Sequence, residues 1–159
     1  MKIFTTRFGE IEVPDDRVMV IPDGILGFPG ETRYVLLEHD SEGTPFKWLQ
    51  SVDNPGLAFI VIDPHLVVED YRVEFSDDVT ALLGAREPGP QLATMSIIHI
   101  PREDPIGMTV NLRAPIVVNV EKRTGAQIIL PNENYPIRHR LFPASETPSP
   151  TADAGCGQA

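Results

Sequence analysis

The sequence has few of the features that mark secreted, membrane-bound or disulfide-stabilised proteins. One cysteine, Cys156, among 159 residues excludes an internal disulfide framework. The longest purely apolar run, Leu57–Ile62, is far too short to cross a bilayer. The first ten residues, MKIFTTRFGE, are charged and contain no apolar signal region. We therefore expect a cytoplasmic protein with no membrane partner.

Positive charge is also scarce. The chain has 13 lysines and arginines against 23 aspartates and glutamates, which gives a net charge of -10. Such a balance repels nucleic-acid phosphates, which are bound by releasing counterions to lysine and arginine. It favours basic protein partners and accelerates their encounter. The alternative is that the acidic surface serves only solubility, and charge alone leaves both open.

The sequence offers little for catalysis. The four histidines, His39, His65, His99 and His139, show no pair at the i, i+4 spacing of a zinc helix, although a site assembled in space stays open. Phosphate loops and Gly-x-Ser-x-Gly elbows are absent. Cys156 lies in a terminal segment that nothing holds in place, whereas a nucleophile needs fixed geometry. We therefore expect no enzyme, no cofactor and no metal site.

The core of the chain has the pattern of a β-protein. Sixteen prolines indicate short elements and many turns. Polar and apolar residues alternate over Glu10–Val13 and Tyr71–Phe75, as in half-buried strands. The other predicted strands are Ile3–Phe8, Arg17–Ile21, Tyr34–Glu38, Phe46–Val52, Leu57–Ile62, Leu92–Ile100, Met108–Leu112, Ile116–Glu121 and Gln127–Leu130.

Turn and cap residues complete the predicted architecture. The clearest hairpin is Ile116–Leu130, with Gly125 free to take a positive φ. One helix is expected at Asp77–Leu83, capped by Ser76 and ended by Gly84. Together these predict a mainly β fold over residues 1–142, a compact antiparallel β-barrel-like single domain with one short helix. A closed barrel leaves no strand edge exposed, which suits a monomer.

The segment 143–159 is expected to be a disordered tail. It reads PASETPSPTADAGCGQA and contains no aromatic residue and no aliphatic side chain larger than alanine. Such a segment cannot bury enough apolar surface to offset the entropy of ordering it.

Two surfaces stand out as candidate sites for protein partners. The first is the glycine- and proline-rich loop at residues 21–30, where Ile25, Leu26 and Phe28 are predicted to form an exposed apolar patch. The alternative is that this loop folds back and closes one end of the barrel. The second surface is an acidic stretch that could dock a basic partner or simply be solvated; its members are Glu69, Asp70, Glu74, Asp77 and Asp78.

An RNA- or ligand-binding β-barrel without catalysis is the rival interpretation. RNA binding would need aromatic stacking platforms and a basic groove. The basic clusters Lys122-Arg123 and Arg138-His139-Arg140 are short, and neither is interleaved with tyrosine or tryptophan. Direct contact with nucleic acid is therefore not expected.

An ordered set of short segments resembles the FliW family of bacterial flagellar assembly factors. In chain order they are RFGEI at 7–11, PDGI at 22–25 with Gly27-Phe28, YVLLE at 34–38, FKWLQS at 46–51, LAFIVIDP at 57–64, NLRAPI at 111–116 and YPIRH at 135–139. No single segment is specific, but the ordered set covers nearly all of residues 1–142.

The resemblance implies a non-enzymatic cytoplasmic protein with two alternative partners. One partner is flagellin before its export. The other is CsrA, a dimeric RNA-binding repressor of flagellin translation. In the family scheme, export of flagellin releases the protein, which then sequesters CsrA and relieves the repression. The resemblance leaves open whether CsrA is blocked directly or through a coupled second site.

Overall fold

The computed structural model describes residues 1–38, 45–73, 76–84, 92–103, 105–131 and 135–141. Short strands dominate it, and their bounds are β1 Lys2–Thr5, β2 Gly9–Glu12, β3 Met19–Val20, β4 Arg33–Glu38, β5 Lys47–Ser51, β6 Ala58–Ile62, β7 Leu92–His99, β8 Thr109–Val110, β9 Ile116–Asn119, β10 Thr124–Gln127 and β11 His139–Arg140. One helix, α1, spans Asp77–Leu83, and 3-10 turns occupy Asp15–Arg17, Pro64–Leu66 and Pro105–Gly107.

Seven strands close into a barrel. The hydrogen-bonded order is β7-β6-β5-β4-β3-β10-β9, and β9 pairs back onto β7. β8 pairs with the last residues of β7, and β11 pairs with β8. β1 and β2 form a separate hairpin. The predicted mainly β barrel is confirmed. One pairing departs from the antiparallel prediction, because β3 and β10 run parallel where Val20 meets Thr124.

The β9–β10 hairpin forms where predicted, but for a different reason. Its turn places Arg123 at a positive φ of 54°, and Gly125 has an ordinary negative φ. Gly125 is needed for space instead. A Cβ there would lie 2.8 Å from the Cγ2 of Val118 on the paired strand. The glycine thus permits close approach of two strands inside the barrel.

The predicted helix α1 is present with its predicted ends. The Ser76 hydroxyl accepts a hydrogen bond from the Val79 N–H, and Gly84 ends the helix with φ 71°. Asn119 of β9 donates its side-chain amide to the Leu83 carbonyl at 2.7 Å, which ties the helix to the barrel wall. No helix among the described residues is long and apolar enough to span a membrane.

The predicted strand at Tyr71–Phe75 is wrong for its described part. Residues 71–73 form no strand, although Tyr71 is buried and Arg72 is exposed as the alternation requires. Residues 74 and 75 lie outside the described part of the chain, as does the predicted tail at 143–159. Burial alternates here because Tyr71 is anchored by its own contacts and not by a sheet.

The barrel interior is filled by side chains that converge from its wall. Its buried members include Met19, Ile21, Ile25, Tyr34, Leu49, Leu57, Val61, Met95, Ile116 and Val118. A second cluster lies outside the wall, under α1 and the segment 135–141, and a third lies under the β1–β2 hairpin. The loop between β3 and β4 lies at one end of the barrel. The end of β4 and the start of β5 lie at the opposite end.

Removing the hydroxyl group from each of two buried tyrosines should change the stability of the fold in opposite directions. Tyr34 is fully buried, and its hydroxyl finds no partner among the described residues. Tyr71 donates its hydroxyl to the Leu112 carbonyl. We expect Tyr34→Phe to stabilise the fold by up to about 1 kcal/mol and Tyr71→Phe to destabilise it by about 1–3 kcal/mol. Denaturant unfolding of both variants measures the difference, and equal shifts in the same direction would contradict this assignment.

Tyr34 should also make the stability of the fold depend on pH in the alkaline range. Burial first, and then the carboxylate of Glu31, raises the pKa of Tyr34 from 10.0 to about 12. Because the folded pKa is above the unfolded one, ionisation of Tyr34 favours the unfolded chain, so this group leaves stability unchanged below pH 10.0 and lowers it as the pH rises towards about 12. In the same unfolding series, Tyr34→Phe should therefore flatten the fall in stability across that pH window.

Candidate functional site

The loop between β3 and β4 consists of two consecutive tight turns. The Gly24 N–H donates to the Ile21 carbonyl at 2.8 Å, and the Phe28 N–H donates to the Ile25 carbonyl at 2.6 Å. Gly24 and Gly27 take positive φ values of 70° and 91°. A side chain at Gly24 would clash with the Phe28 carbonyl, so this position accepts only glycine. The turns give the loop one defined shape.

This shape divides the three apolar residues that were predicted to be exposed together. Ile25 is only 2% exposed and belongs to the barrel interior, so the prediction of an exposed Ile25 is wrong. Leu26 is 61% exposed and Phe28 is 39% exposed. The ring of Phe28 rests edge-on against Phe59, with centroids 5.7 Å apart. The loop therefore closes one barrel end through Ile25 and presents Leu26 and part of Phe28 to solvent.

A glutamine from the barrel wall fixes the exposed tip of the loop. The Gln127 side-chain oxygen accepts from the Leu26 N–H at 2.8 Å, and its amide donates to the Ala114 carbonyl at 3.0 Å. Nothing in the local sequence of the loop identifies this partner, which lies 101 residues away. The contact gives the exposed Leu26 a preformed position, which lowers the entropy lost when a partner binds it.

The acidic stretch lies on two elements rather than on one strand. Glu69 and Asp70 are exposed in the turn that follows the 3-10 segment Pro64–Leu66. Asp77 and Asp78 are exposed in the first turn of α1, where the helix dipole favours negative charge. Glu74 lies outside the described residues. Four of the five predicted acids are therefore shown to be solvent-facing.

Aromatic contacts hold the first pair of acids in place. The Tyr71 ring packs at a tilt against Tyr135, with centroids 4.6 Å apart, and meets the His65 ring edge-on at 5.7 Å. The Tyr135 hydroxyl accepts a hydrogen bond from the Arg72 N–H at 3.0 Å. Burial and the neighbouring Tyr135 raise the pKa of the Tyr71 phenol, which stays neutral. Glu69 and Asp70 thus project from a backbone anchored to the barrel.

Some charged groups of the described residues form ion pairs instead of a catalytic or metal site. The described residues contain no group of three or more histidine, cysteine, aspartate or glutamate side chains placed to hold a metal ion. The Arg33 guanidinium, which hydrogen-bonds the Asp53 carboxylate at 3.1 Å, lowers the pKa of that carboxyl. The Asp63 carboxylate lies 2.8 Å from the Nδ1 of the His65 ring, and it also accepts a hydrogen bond from the His65 backbone N–H. Both pairs are exposed at turns.

A cavity at the other barrel end was missed by the sequence reasoning. It has a volume of about 490 Å³ and opens where β4 and β6 end and β5 and β7 begin. We call it the barrel mouth; its lining includes Leu36, Lys47, Val61, Leu66, Ala93 and Met95. These residues are distant in sequence, and all but Leu66, which ends a 3-10 turn, lie in strands. Only the closure of the sheet brings them together.

Comparison with known proteins shows which family this chain resembles. The family model described as FliW protein matches residues 2–141. A flagellar assembly factor FliW of Desulfitobacterium hafniense strain Y51 is 44% identical over 151 residues, which covers 93% of this chain and 97% of that protein. A relative of the same name from Natranaerobius thermophilus is 39% identical over 142 residues, covering 89% and 93% of the two chains.

A solved structure shows the same architecture. A crystal structure of the flagellar assembly factor FliW superposes with a TM-score of 0.79 at 38% sequence identity, covering 90% of this chain and 98% of that one. Likeness in sequence and in fold thus extends over nearly the whole of the described barrel. The chain belongs to the FliW family of flagellar assembly factors.

Proposed function

We propose that this protein is a cytoplasmic, non-catalytic regulator that binds flagellin and, when flagellin is absent, binds and antagonises the translational regulator CsrA. Membership of the family supports a role in building the flagellum. The observation that carries the proposal is the presence of two chemically different exposed surfaces on one rigid barrel. One is apolar, at Leu26 and Phe28, and the other is acidic, on the elements around α1.

The apolar loop is the proposed flagellin site. A subunit awaiting export exposes apolar surface that later becomes buried in the filament, and such surface needs an apolar acceptor. Leu26 supplies that surface at a position fixed by Gln127. Phe28 contributes less, because part of its ring already packs on Phe59. Leu26 is therefore the better residue to vary.

The acidic surface is the proposed CsrA site. A protein that binds RNA carries clustered lysine and arginine, and carboxylates attract those groups from a distance. Asp77 and Asp78 occupy adjacent positions at the start of α1, and Glu69 and Asp70 lie in the turn before it along the chain. Exposed charges contribute mainly to the rate of association, each by about 1 kcal/mol or less.

Reversing two of these charges tests the assignment. We expect the double variant Asp77→Lys, Asp78→Lys to slow association with CsrA and to flatten its dependence on salt, because the attraction is screened over about 10 Å at 0.1 M salt. Stopped-flow association at several salt concentrations measures both effects. Thermal melting of the variant should accompany it, since the two reversals also oppose the α1 dipole by about 0.3–1 kcal/mol each.

A matched variant separates a docking face from a general charge effect. Glu12→Lys with Asp16→Lys makes the same change in net charge at exposed positions of the β2 end and the first 3-10 turn. We expect this control to slow association much less. If both double variants slow it equally, the acidic surface acts only through net charge, and the CsrA face lies elsewhere.

A further inference from the structure

At the barrel mouth, one edge of β7 has no partner strand in the part of the chain that the structure describes. β6 and β7 pair from Ile60 with Ile98 to Ile62 with Ser96, and there the ladder stops. The next hydrogen-bonded position would pair residue 64 with residue 94. Residue 64 is Pro64, which has no N–H to donate and starts a 3-10 turn instead. β7 nevertheless continues back to Leu92, held from its other side by β9.

The backbone groups on this open edge can be identified from the ladder. The Ile97 carbonyl accepts from the Asn111 N–H at 2.9 Å on the β8 side of β7. Backbone groups of successive strand residues point to alternate sides, so those of Met95 and Ala93 face β9. The backbone groups of Thr94 and Leu92 therefore point to the opposite side, where β6 no longer pairs with β7. No strand among the described residues pairs with them there.

The barrel mouth lies against this edge. Ala93 and Met95 face the barrel interior, because their cross-strand partners Val118 and Ile116 belong to the interior cluster. By the same argument Leu36, paired with Leu49, faces inward at the rim. The mouth is therefore an apolar recess directly beside two pairs of N–H and C=O groups that no described strand occupies. The first three residues of β7 are accessible, since none of them is buried.

The described residues of the rim carry two carboxylates and one lysine. The Lys47 ammonium lies 3.5 Å from the Glu38 carboxylate, so this lysine is already paired. Asp63 adds a further exposed carboxylate beside His65. On a chain with a net charge of -10, such a rim favours a ligand with basic ends.

We propose that the barrel mouth binds an extended, lysine-flanked apolar segment of a partner protein, which adds a strand beside the first residues of β7. The segment's backbone pairs with Leu92 and Thr94 in place of the missing continuation of β6. Its alternate side chains enter the mouth between Leu36 and Met95. Strand addition of this kind takes its affinity from main-chain hydrogen bonds and its specificity from pockets for alternate side chains. The site lies at the opposite barrel end from Leu26 and does not depend on the roles of CsrA or flagellin proposed above.

The test uses the full chain and a short capped peptide, Lys-Thr-Val-Thr-Val-Lys. Amide NMR spectra of the isotope-labelled protein should shift on titration at Leu92, Thr94 and Leu36. A peptide N-methylated at the amides on its pairing edge should bind at least about fivefold more weakly, since it cannot donate main-chain hydrogen bonds to the edge of β7. A peptide with serine in place of both valines should also bind more weakly, because it cannot fill the recess.

Two protein variants address the two parts of the site. Ala93→Phe should fill the mouth and abolish the shifts. Thr94→Pro should weaken peptide binding, because it removes one N–H donor from the open edge while leaving the pairing with β9 intact. Shifts confined to other surfaces, or no shifts at these amides, would overturn the proposal. Equal binding of the methylated and unmethylated peptides to the unaltered protein would also overturn it, whatever the variants do.

Discussion

Ile25→Ala is expected to lower the free energy of unfolding by about 2–4 kcal/mol, the usual cost of truncating a large buried aliphatic side chain. Ile25 is 2% exposed and packs among the interior residues of the barrel. Leu26→Ala, one position along the same loop, should change stability by less than about 0.5 kcal/mol, because that side chain is mostly in solvent. Urea unfolding of both variants measures the contrast.

The same pair of variants separates stability from binding. Leu26→Ala should weaken flagellin binding by about tenfold, because the few anchor residues of an interface each cost more than about 1 kcal/mol when truncated and Leu26 is the proposed anchor. Isothermal titration at a temperature where both variants are folded gives the affinities. If Leu26→Ala binds flagellin as tightly as the unaltered chain, the exposed tip is not the contact. If it unfolds as readily as Ile25→Ala, the loop does not have the shape described.

The general architecture could be predicted because it depends on local patterns. Alternation and turn residues located most strands, and the helix α1 was predicted from the cap at Ser76, the two acids and Gly84. Strand ends were less predictable. Gln127–Leu130 was predicted as a strand, for example, but β10 covers Thr124–Gln127 because its register is set by β9 across the hairpin.

The sites were predicted less well because they depend on tertiary contacts. Ile25 and Leu26 are neighbours of similar hydrophobicity in a turn-rich loop, and only the barrel end decides which one is buried. Gly125 is likewise a glycine for close packing against Val118, whereas turn chemistry suggested a positive φ. The barrel mouth left no local signal, although Pro64 at the end of an apolar strand is the residue that creates its open edge.

The proposed regulation predicts a large effect of this protein on CsrA bound to RNA. A CsrA dimer held by an acidic partner cannot hold RNA equally well, whether the partner covers the RNA groove or acts through a coupled site. Saturating amounts should therefore weaken CsrA binding to a flagellin leader RNA by at least about tenfold, a coupling of about 1.4 kcal/mol. Added flagellin should restore the complex, because in the proposed scheme the binding of flagellin and the binding of CsrA exclude one another.

The protein itself should not contact the RNA. Its net charge of -10 opposes binding to phosphates, and the basic clusters at Lys122-Arg123 and Arg138–Arg140 are short. A titration of labelled RNA with this protein alone is the necessary control. Saturable micromolar binding in that control would favour an RNA-binding barrel over a regulator of CsrA.

Fluorescence anisotropy of the labelled leader RNA tests the central claim most directly. Purified CsrA raises the anisotropy, this protein is titrated in at fixed moderate salt, and flagellin is then added to the same sample. We expect the anisotropy to fall when the protein is added and to recover when flagellin is added. An anisotropy that stays high at a several-fold excess of this protein over CsrA would contradict it.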